Sequence, residues 1–170
     1  MKYLFAVMDD ETRFWIAQEV AGSKYKHDAR KIFQKAKEVT GKKPMTLITD
    51  GLPAYHDAFN KEFFTLKNPR TEHINTIKLQ DNMNNNKMEQ FNGEIRDREK
   101  VVRGLKKIDT PVLKGYQIYH NYIRPHEALE GKTPAEACGI VVGGNNKWVA
   151  LIQNANHPTT VNMNKNLTTT

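Results

Sequence analysis

Two scarce features of this 170-residue sequence exclude several classes of protein. It has one cysteine, Cys138, so an internal disulfide and a multi-cysteine metal site are both excluded. No apolar run approaches the roughly 20 residues that a membrane-spanning helix needs, and we expect no cleavable leader. Cys138 lies between an alanine and a glycine and is predicted to be a packed small side chain. We therefore predict one cytoplasmic domain followed by a tail.

Acidic residues are outnumbered in this chain. The 26 Lys and Arg residues against 19 Asp and Glu give a formal net charge of +7 and a pI near 9.4, which favours a polyanionic partner such as nucleic acid. A first basic run, over residues 24–43, has the composition of a solvated helix face. A second basic run follows Glu89, and we expect it to contact phosphate. Its members are Arg96, Arg98, Lys100, Arg103, Lys106 and Lys107.

Apolar periodicity and turn residues predict an α/β fold. The predicted elements are strands over residues 3–8 and 14–20, a helix over 27–39, a strand over 45–49, a helix from Pro53, a strand over 73–79, a helix from 86 to about 105, a helix from Pro111 to Ile123 and a short helix over 135–138. Asp50 therefore falls at the carboxyl end of a strand, and Glu89 lies on a helix.

This pairing of carboxylates suits metal-assisted chemistry on a phosphodiester. Such chemistry activates one oxygen and neutralises another, and two divalent ions do this when carboxylates hold them. Hard cations take oxygen ligands, so Asp and Glu are the residue types required. Taken alone, the pattern is also that of a turn residue at Asp50 and an exposed, ion-paired helix residue at Glu89.

Five blocks of sequence give the pattern a more specific meaning. They are LFAVMDDETR (residues 4–13), TDGLPAY (49–55), NNNKMEQFNGEIRDR (84–98), YHNYIRPH (119–126) and GKTPAEA (131–137). On these blocks, the chain resembles the integrase-type catalytic core of DDE insertion-sequence transposases, over nearly its whole length to about Asn154. The last two blocks disfavour another interpretation of the chain, as a ribonuclease-H-type nuclease.

The resemblance implies a ribonuclease-H-like mixed sheet flanked by helices, with Asp50 as the second carboxylate of the family's triad and Glu89 as the third. Both would bind Mg²⁺ or Mn²⁺, and Arg96 would contact DNA from the helix that carries Glu89. The family's first carboxylate matches no residue here, because its strand would precede the one over residues 3–8. Asp9 and Asp10 match a hairpin turn and are poor substitutes.

We therefore predict a transposase core over residues 1–139, N-terminally truncated and lacking its first strand, a C-terminal segment over 140–154 and a disordered tail over 155–170. The implied function is metal-dependent DNA cleavage and strand transfer in transposition, with this chain inactive alone. The alternative is a non-catalytic DNA-binding or dimerising fragment that modulates a full-length transposase. Whether the chain alone is an enzyme stays open here.

The implied partners are insertion-sequence ends and target DNA, together with a second copy of the chain or a full-length transposase, at the nucleoid of a prokaryotic cell. Arg124, in a loop, is a further candidate for DNA contact. His120 lies on an apolar helix face and is predicted to be a core residue, as is Trp15. Trp148 is predicted to be a packing anchor for the C-terminal segment.

Overall fold

The protein folds as a mixture of short strands and helices, which confirms the predicted α/β class. The computed structural model describes residues 2–75, 86–101 and 111–156. Strand β1 spans Tyr3–Met8 and strand β2 spans Trp15–Ala21, and the two pair antiparallel. The hairpin predicted from the sequence is thereby confirmed.

A one-residue irregularity in the pairing of the hairpin sets the direction of the Trp15 side chain at the start of β2. Paired residues run in register from Tyr3 to Val7, after which the register shifts and Met8 lies opposite Trp15. Such a bulge adds a residue to one strand and re-aims the side chains beyond it. As a result, Trp15 and Met8 pack in the same apolar cluster as Leu4.

The second layer of the fold is the predicted helical crossover. Its elements are α1 (Lys26–Thr40), β3 (Thr46–Ile48), α2 (Pro53–Glu62) and β4 (Glu72–Ile74). β3 and β4 pair parallel, with Leu47 opposite His73, whereas residues 76–79 of the predicted last strand lie outside the described residues. Within the described part of the chain, the hydrogen bonds form two separate two-stranded sheets, β1–β2 and β3–β4. The ribonuclease-H-like sheet, lacking its first strand, stays a prediction.

The rest of the fold is helical. Its elements are α3 (Asn86–Val101), α4 (Pro111–Ile118), a π-helical turn (Tyr119–Ile123), a 3-10 turn (Glu127–Leu129), α5 (Pro134–Ala137) and α6 (Lys147–Asn156). The predicted end of the α3 helix near residue 105 lies outside the described residues. The predicted tail lies there too, except for residues 155 and 156, which belong to α6. No helix among the described segments has the length and apolar character to cross a membrane.

Two apolar clusters lie against the hairpin. One joins it to α1 and α2 through Phe5, Ala17, Ala21, Ala29, Ile32, Phe33, Ala36, Ala58, Phe59 and Phe63. The other joins it to α3 and α4 through Trp15, Val20, Phe91, Ile95, Leu113 and Tyr116. Successive residues of a strand point to opposite faces, so one hairpin serves both clusters. Trp15 is fully buried, which confirms its predicted place in the core.

Two predictions about the C-terminal region need correction. Cys138 is exposed rather than packed, because it caps the end of α5 where the chain turns outward. Trp148, predicted to be a packing anchor for the C-terminal segment, leaves 42% of its surface exposed. A polar contact that fixes α6 is the ion pair between Lys147 and Glu136, at 2.7 Å. That ion pair lowers the pKa of Glu136 to about 2.

The cap of α5 provides a direct test of the fold. The Thr133 hydroxyl accepts a hydrogen bond from the Glu136 amide (3.2 Å), and the Glu136 carboxylate accepts one from the Thr133 amide (2.8 Å). Thr133→Ala removes the first bond at a buried site, so it should lower the free energy of unfolding by about 1–2 kcal/mol, measured by urea denaturation. Thr133→Ser keeps the hydroxyl and should recover most of this loss. Equal losses in the two variants would contradict a capping role.

Candidate functional site

Asp50 lies in a tight turn directly after β3. Its carboxylate accepts a hydrogen bond from the Leu52 amide at 3.2 Å, a short-range contact that is typical of aspartate at turns. Pro53 then begins α2, where its missing amide hydrogen is not needed. Burial raises the pKa of Tyr55, and the nearby negative charge of Asp50 raises it further. The side chain of Asp50 is exposed, so this turn presents its carboxylate to solvent.

Gly51 allows the chain to leave the strand at this point. Its φ is +80°, a conformation that residues with a Cβ rarely adopt. A Cβ built on Gly51 would lie 2.9 Å from the backbone oxygen of Asn75, just after β4. The close approach of these two backbone segments therefore requires glycine after Asp50.

Glu89 lies in the first turn of α3, on the helix that packs against the second cluster. Its side chain is exposed, whereas Phe91 is buried with its ring centroid 4.7 Å from that of Trp15. Lys87 binds the Asp10 carboxylate at 2.8 Å, which ties the start of α3 to the hairpin turn. Asp10 therefore has a protein partner in this structure. Met88, Phe91 and Ile95 form an apolar stripe on α3 that packs in the second cluster.

The basic residues predicted to contact DNA differ in their surroundings. Arg96 is exposed, two turns along α3 from Glu89. The Arg98 guanidinium lies over the rings of Tyr116 (4.8 Å) and Tyr119 (5.5 Å) on the neighbouring helical segment. The side chain of Lys100 and the whole of Arg103 lie outside the described residues. Their contact with DNA stays a prediction.

Arg124 lies close to α3, although its place in the sequence is remote from that helix. Its Nη1 contacts Glu94 Oε2, and its Nη2 donates to Glu94 Oε1 at 3.4 Å. The same carboxylate accepts a hydrogen bond from the Tyr116 hydroxyl at 3.3 Å. Burial opposes the charge on Glu94, but its hydrogen bond to Arg124 prevails and lowers the pKa of Glu94. The structure gives the Arg124 guanidinium a protein partner. Contact between Arg124 and DNA stays a prediction.

Two histidines pack together beneath this ion pair. His120 is buried, which confirms its predicted place in the core, and its Nε2 donates to the Arg13 carbonyl at 3.0 Å. A carbonyl can only accept, so His120 carries its proton on Nε2. The ring of His126 lies 4.8 Å from that of His120. Burial lowers the pKa of His126 to about 4, and the neighbouring His120 and Arg124 act in the same direction.

Sequence patterns missed several residues that organise this region. Asn121, Gln117 and Glu94 all make contacts between distant segments, yet each is an ordinary polar residue on a helix in the sequence. The spacing of Glu94 from Glu89 and the position of Asn121 beside a buried histidine were the available hints. Within the described ranges, no group of three or more His, Cys, Asp or Glu side chains is arranged to hold a metal ion.

The described geometry thus places one exposed carboxylate, Asp50, after a strand and a second, Glu89, in the first turn of a helix. The family model described as a DDE domain, of the IS240 transposase type, matches residues 1–126. The match spans most of the chain, so the chain belongs to this family of insertion-sequence transposase catalytic domains. A search of curated proteins gave no match. Membership makes DNA the partner, and the family generally uses divalent metal ions.

Replacement of Gly51 tests the geometry of the turn after Asp50. Gly51→Ala introduces both backbone strain and the 2.9 Å approach to Asn75, and should lower the free energy of unfolding by about 2–4 kcal/mol. Gly41→Ala is the matched control, because Gly41 also has positive φ (+67°) but has nothing within 4 Å of its Cβ position. It should cost about 1 kcal/mol. Equal losses in urea unfolding would show that the approach to Asn75 is not tight.

Acidification tests the packed histidine pair. The pKa of His126 is about 4 in the folded protein and about 6.5 in the unfolded chain, so the stability contributed by neutral His126 is complete above pH 6.5 and is lost as pH falls towards 4. The free energy of unfolding should therefore fall between about pH 6.5 and 4.5. Glu62 and Glu94, with pKa values lowered below 4.5, lose their contribution only at lower pH.

The measurement is urea unfolding at several pH values across that window. His126→Asn should flatten the slope with pH, and the exposed His27→Asn is the control that should keep the wild-type slope. A wild-type stability that does not change across the window would contradict the neutral state of His126.

Proposed function

We propose that this protein is a DDE-type transposase that cleaves DNA and transfers its strands during transposition of an insertion sequence. Asp50 and Glu89 are the residues we assign to metal binding and catalysis. The observation that carries the proposal is the DDE-domain match over residues 1–126, which includes both carboxylates. Their exposure at the end of β3 and in the first turn of α3 supports it, because both side chains are accessible to a ligand.

The donor set suits Mg²⁺ or Mn²⁺. Both candidate ligands are carboxylates, and hard divalent cations prefer such oxygen donors over nitrogen or sulfur. The bound ions would supply charge stabilisation for the attacking and leaving oxygens of a phosphodiester. Asp50 is held by its turn, and Glu89 by a helix whose next turn is buried against Trp15. The chain's own contribution is therefore to fix two carboxylates on separate rigid elements.

The α3 surface is the proposed path of the DNA backbone. Arg96 is exposed on the helix that carries Glu89, two turns further along, and is proposed to contact phosphate. Arg98 lies over two tyrosine rings, which hold its guanidinium close to the helix surface. Lys100 and Arg103 complete the proposed set. The net charge of +7 makes salt-dependent binding the expected behaviour.

The chain alone is proposed to be a weak catalyst or inactive. The resemblance assigns two of the family's three carboxylates to this sequence, and loss of one ligand from such a unit usually removes most of the rate. A third carboxylate would come from Asp9, from Asp10 or from another polypeptide. The second candidate function is a non-catalytic DNA-binding or dimerising protein that modulates a full-length transposase. The formal net charge of +7 favours it independently of catalysis.

Nicking of supercoiled plasmid in Mg²⁺ or Mn²⁺ separates the two functions. A transposase site predicts slow, metal-dependent nicking that falls at least about 100-fold in both Asp50→Asn and Glu89→Gln, since each removes a metal ligand while preserving shape. Glu127→Gln, an exposed carboxylate on the 3-10 turn, is the matched control and should cleave like the wild type.

Two other results would change the assignment. Nicking that persists in both variants would place the activity elsewhere and contradict the proposed site. Salt-sensitive DNA binding without nicking under any metal condition would favour the non-catalytic function.

A further inference from the structure

The π-helical turn after α4 is joined to the hairpin by an amide that imitates a neighbouring strand. Asn121 Nδ2 donates to the Trp15 carbonyl at 3.0 Å, and Asn121 Oδ1 accepts from the Trp15 amide at 2.8 Å. These are the two bonds that a paired strand residue would make. Gln117 donates to the same carbonyl at 2.8 Å. Asn121 is 2% exposed, so the contact satisfies backbone groups that are closed to water.

The second attachment of this turn is His120. Its Nε2 binds the Arg13 carbonyl just before β2, and its ring centroid lies 4.9 Å from that of Phe91 on α3. His120 and Asn121 are adjacent in the chain, yet His120 contacts both the hairpin and α3, while Asn121 binds the backbone of Trp15. The turn is thereby fixed to the start of β2 from two directions.

The third attachment passes from this fixed turn to α3. Arg124 follows the π-helical turn immediately and pairs with Glu94 through its two terminal guanidinium nitrogens, Nη1 and Nη2. Glu94 lies little more than one helical turn beyond Glu89. The side chains of the pair are about one-third exposed, at 33% and 32%, so the contact is only partly screened by water. A bidentate pair also fixes orientation, which a single point charge does not.

We infer that Arg124, anchored by Asn121 and His120, is a positioning residue for Glu89: it holds the first turns of α3 against the hairpin through Glu94. The inference rests on the proposed function for the role of Glu89, and on the described contacts for the attachment itself. It gives the YHNYIRPH block a structural role, because His120 and Asn121 bind the backbone at Arg13 and Trp15, at the start of β2, and Arg124 binds Glu94 on α3. It also separates Arg124 from the exposed Arg96.

A charge exchange tests this role without depending on catalysis. Arg124→Glu and Glu94→Arg each leave two like charges facing one another, so amide hydrogen exchange in α3 should speed up about tenfold or more while exchange in α1 stays unchanged. The double variant restores the opposite pair and should recover much of the protection. Unchanged α3 exchange in both single variants, or no recovery in the double variant, would overturn the inference.

Cleavage kinetics then distinguish positioning from DNA contact. Displacing Glu89 should lower kcat by roughly 10- to 100-fold in Arg124→Ala, with KM for DNA within about twofold of wild type. Arg124→Lys keeps the positive charge but loses the forked guanidinium. Its kcat should therefore lie between those of the wild type and Arg124→Ala. A raised KM with unchanged kcat would overturn the inference and make Arg124 a DNA contact. Lys132→Ala, at an exposed lysine, controls for the lost charge.

The hydrogen-exchange experiment and the cleavage experiment test different claims, so either can fail without the other. Absence of cleavage in the wild type, in every metal tested, would favour the non-catalytic function, and hydrogen exchange would still decide whether Arg124 attaches α3. Faster α3 exchange in Arg124→Ala combined with unchanged kcat would overturn the positioning of Glu89.

Discussion

Burial of the β1–β2 hairpin on both faces is the constraint on which the other elements depend. Phe5 and Ala17 contribute to the cluster with α1 and α2, while Trp15 and Val20 contribute to the cluster with α3 and α4. A two-stranded hairpin is marginally stable in water by itself, so its stability here comes from helices packed against it. Neither helical layer has another sheet of comparable length among the described residues.

The candidate site depends on the same hairpin, because its two carboxylates lie on elements packed against different faces of it. Asp50 belongs to the side of α1 and α2, because β3 contributes Leu47 to that cluster, whereas Glu89 belongs to α3 on the other side. The relative position of the two carboxylates is therefore set through the hairpin. Asn121 matters for the same reason: its paired hydrogen bonds to Trp15 fix the chain that carries Arg124, and Arg124 reaches back to α3.

Local chemistry explains which parts were predictable. Apolar periodicity identified the two strands of the hairpin and the helices α1, α3 and α5. These features depend on residues close in sequence. The Arg124–Glu94 and Asn121–Trp15 contacts join segments far apart, and nothing in the local sequence distinguishes such residues from exposed polar ones. Exposure of Cys138 was missed because its small neighbours resemble a packed turn.

The central claim is that Asp50 and Glu89, on different elements, bind metal at one site. The most direct measurement is an NMR titration of the ¹⁵N-labelled protein with Mn²⁺, whose unpaired electrons broaden nearby amide signals. The account predicts that signals around Asp50 and around Glu89 broaden together at the same Mn²⁺ concentration, and that Asp50→Asn weakens both effects. Broadening around one carboxylate that leaves the other unaffected would contradict a shared site.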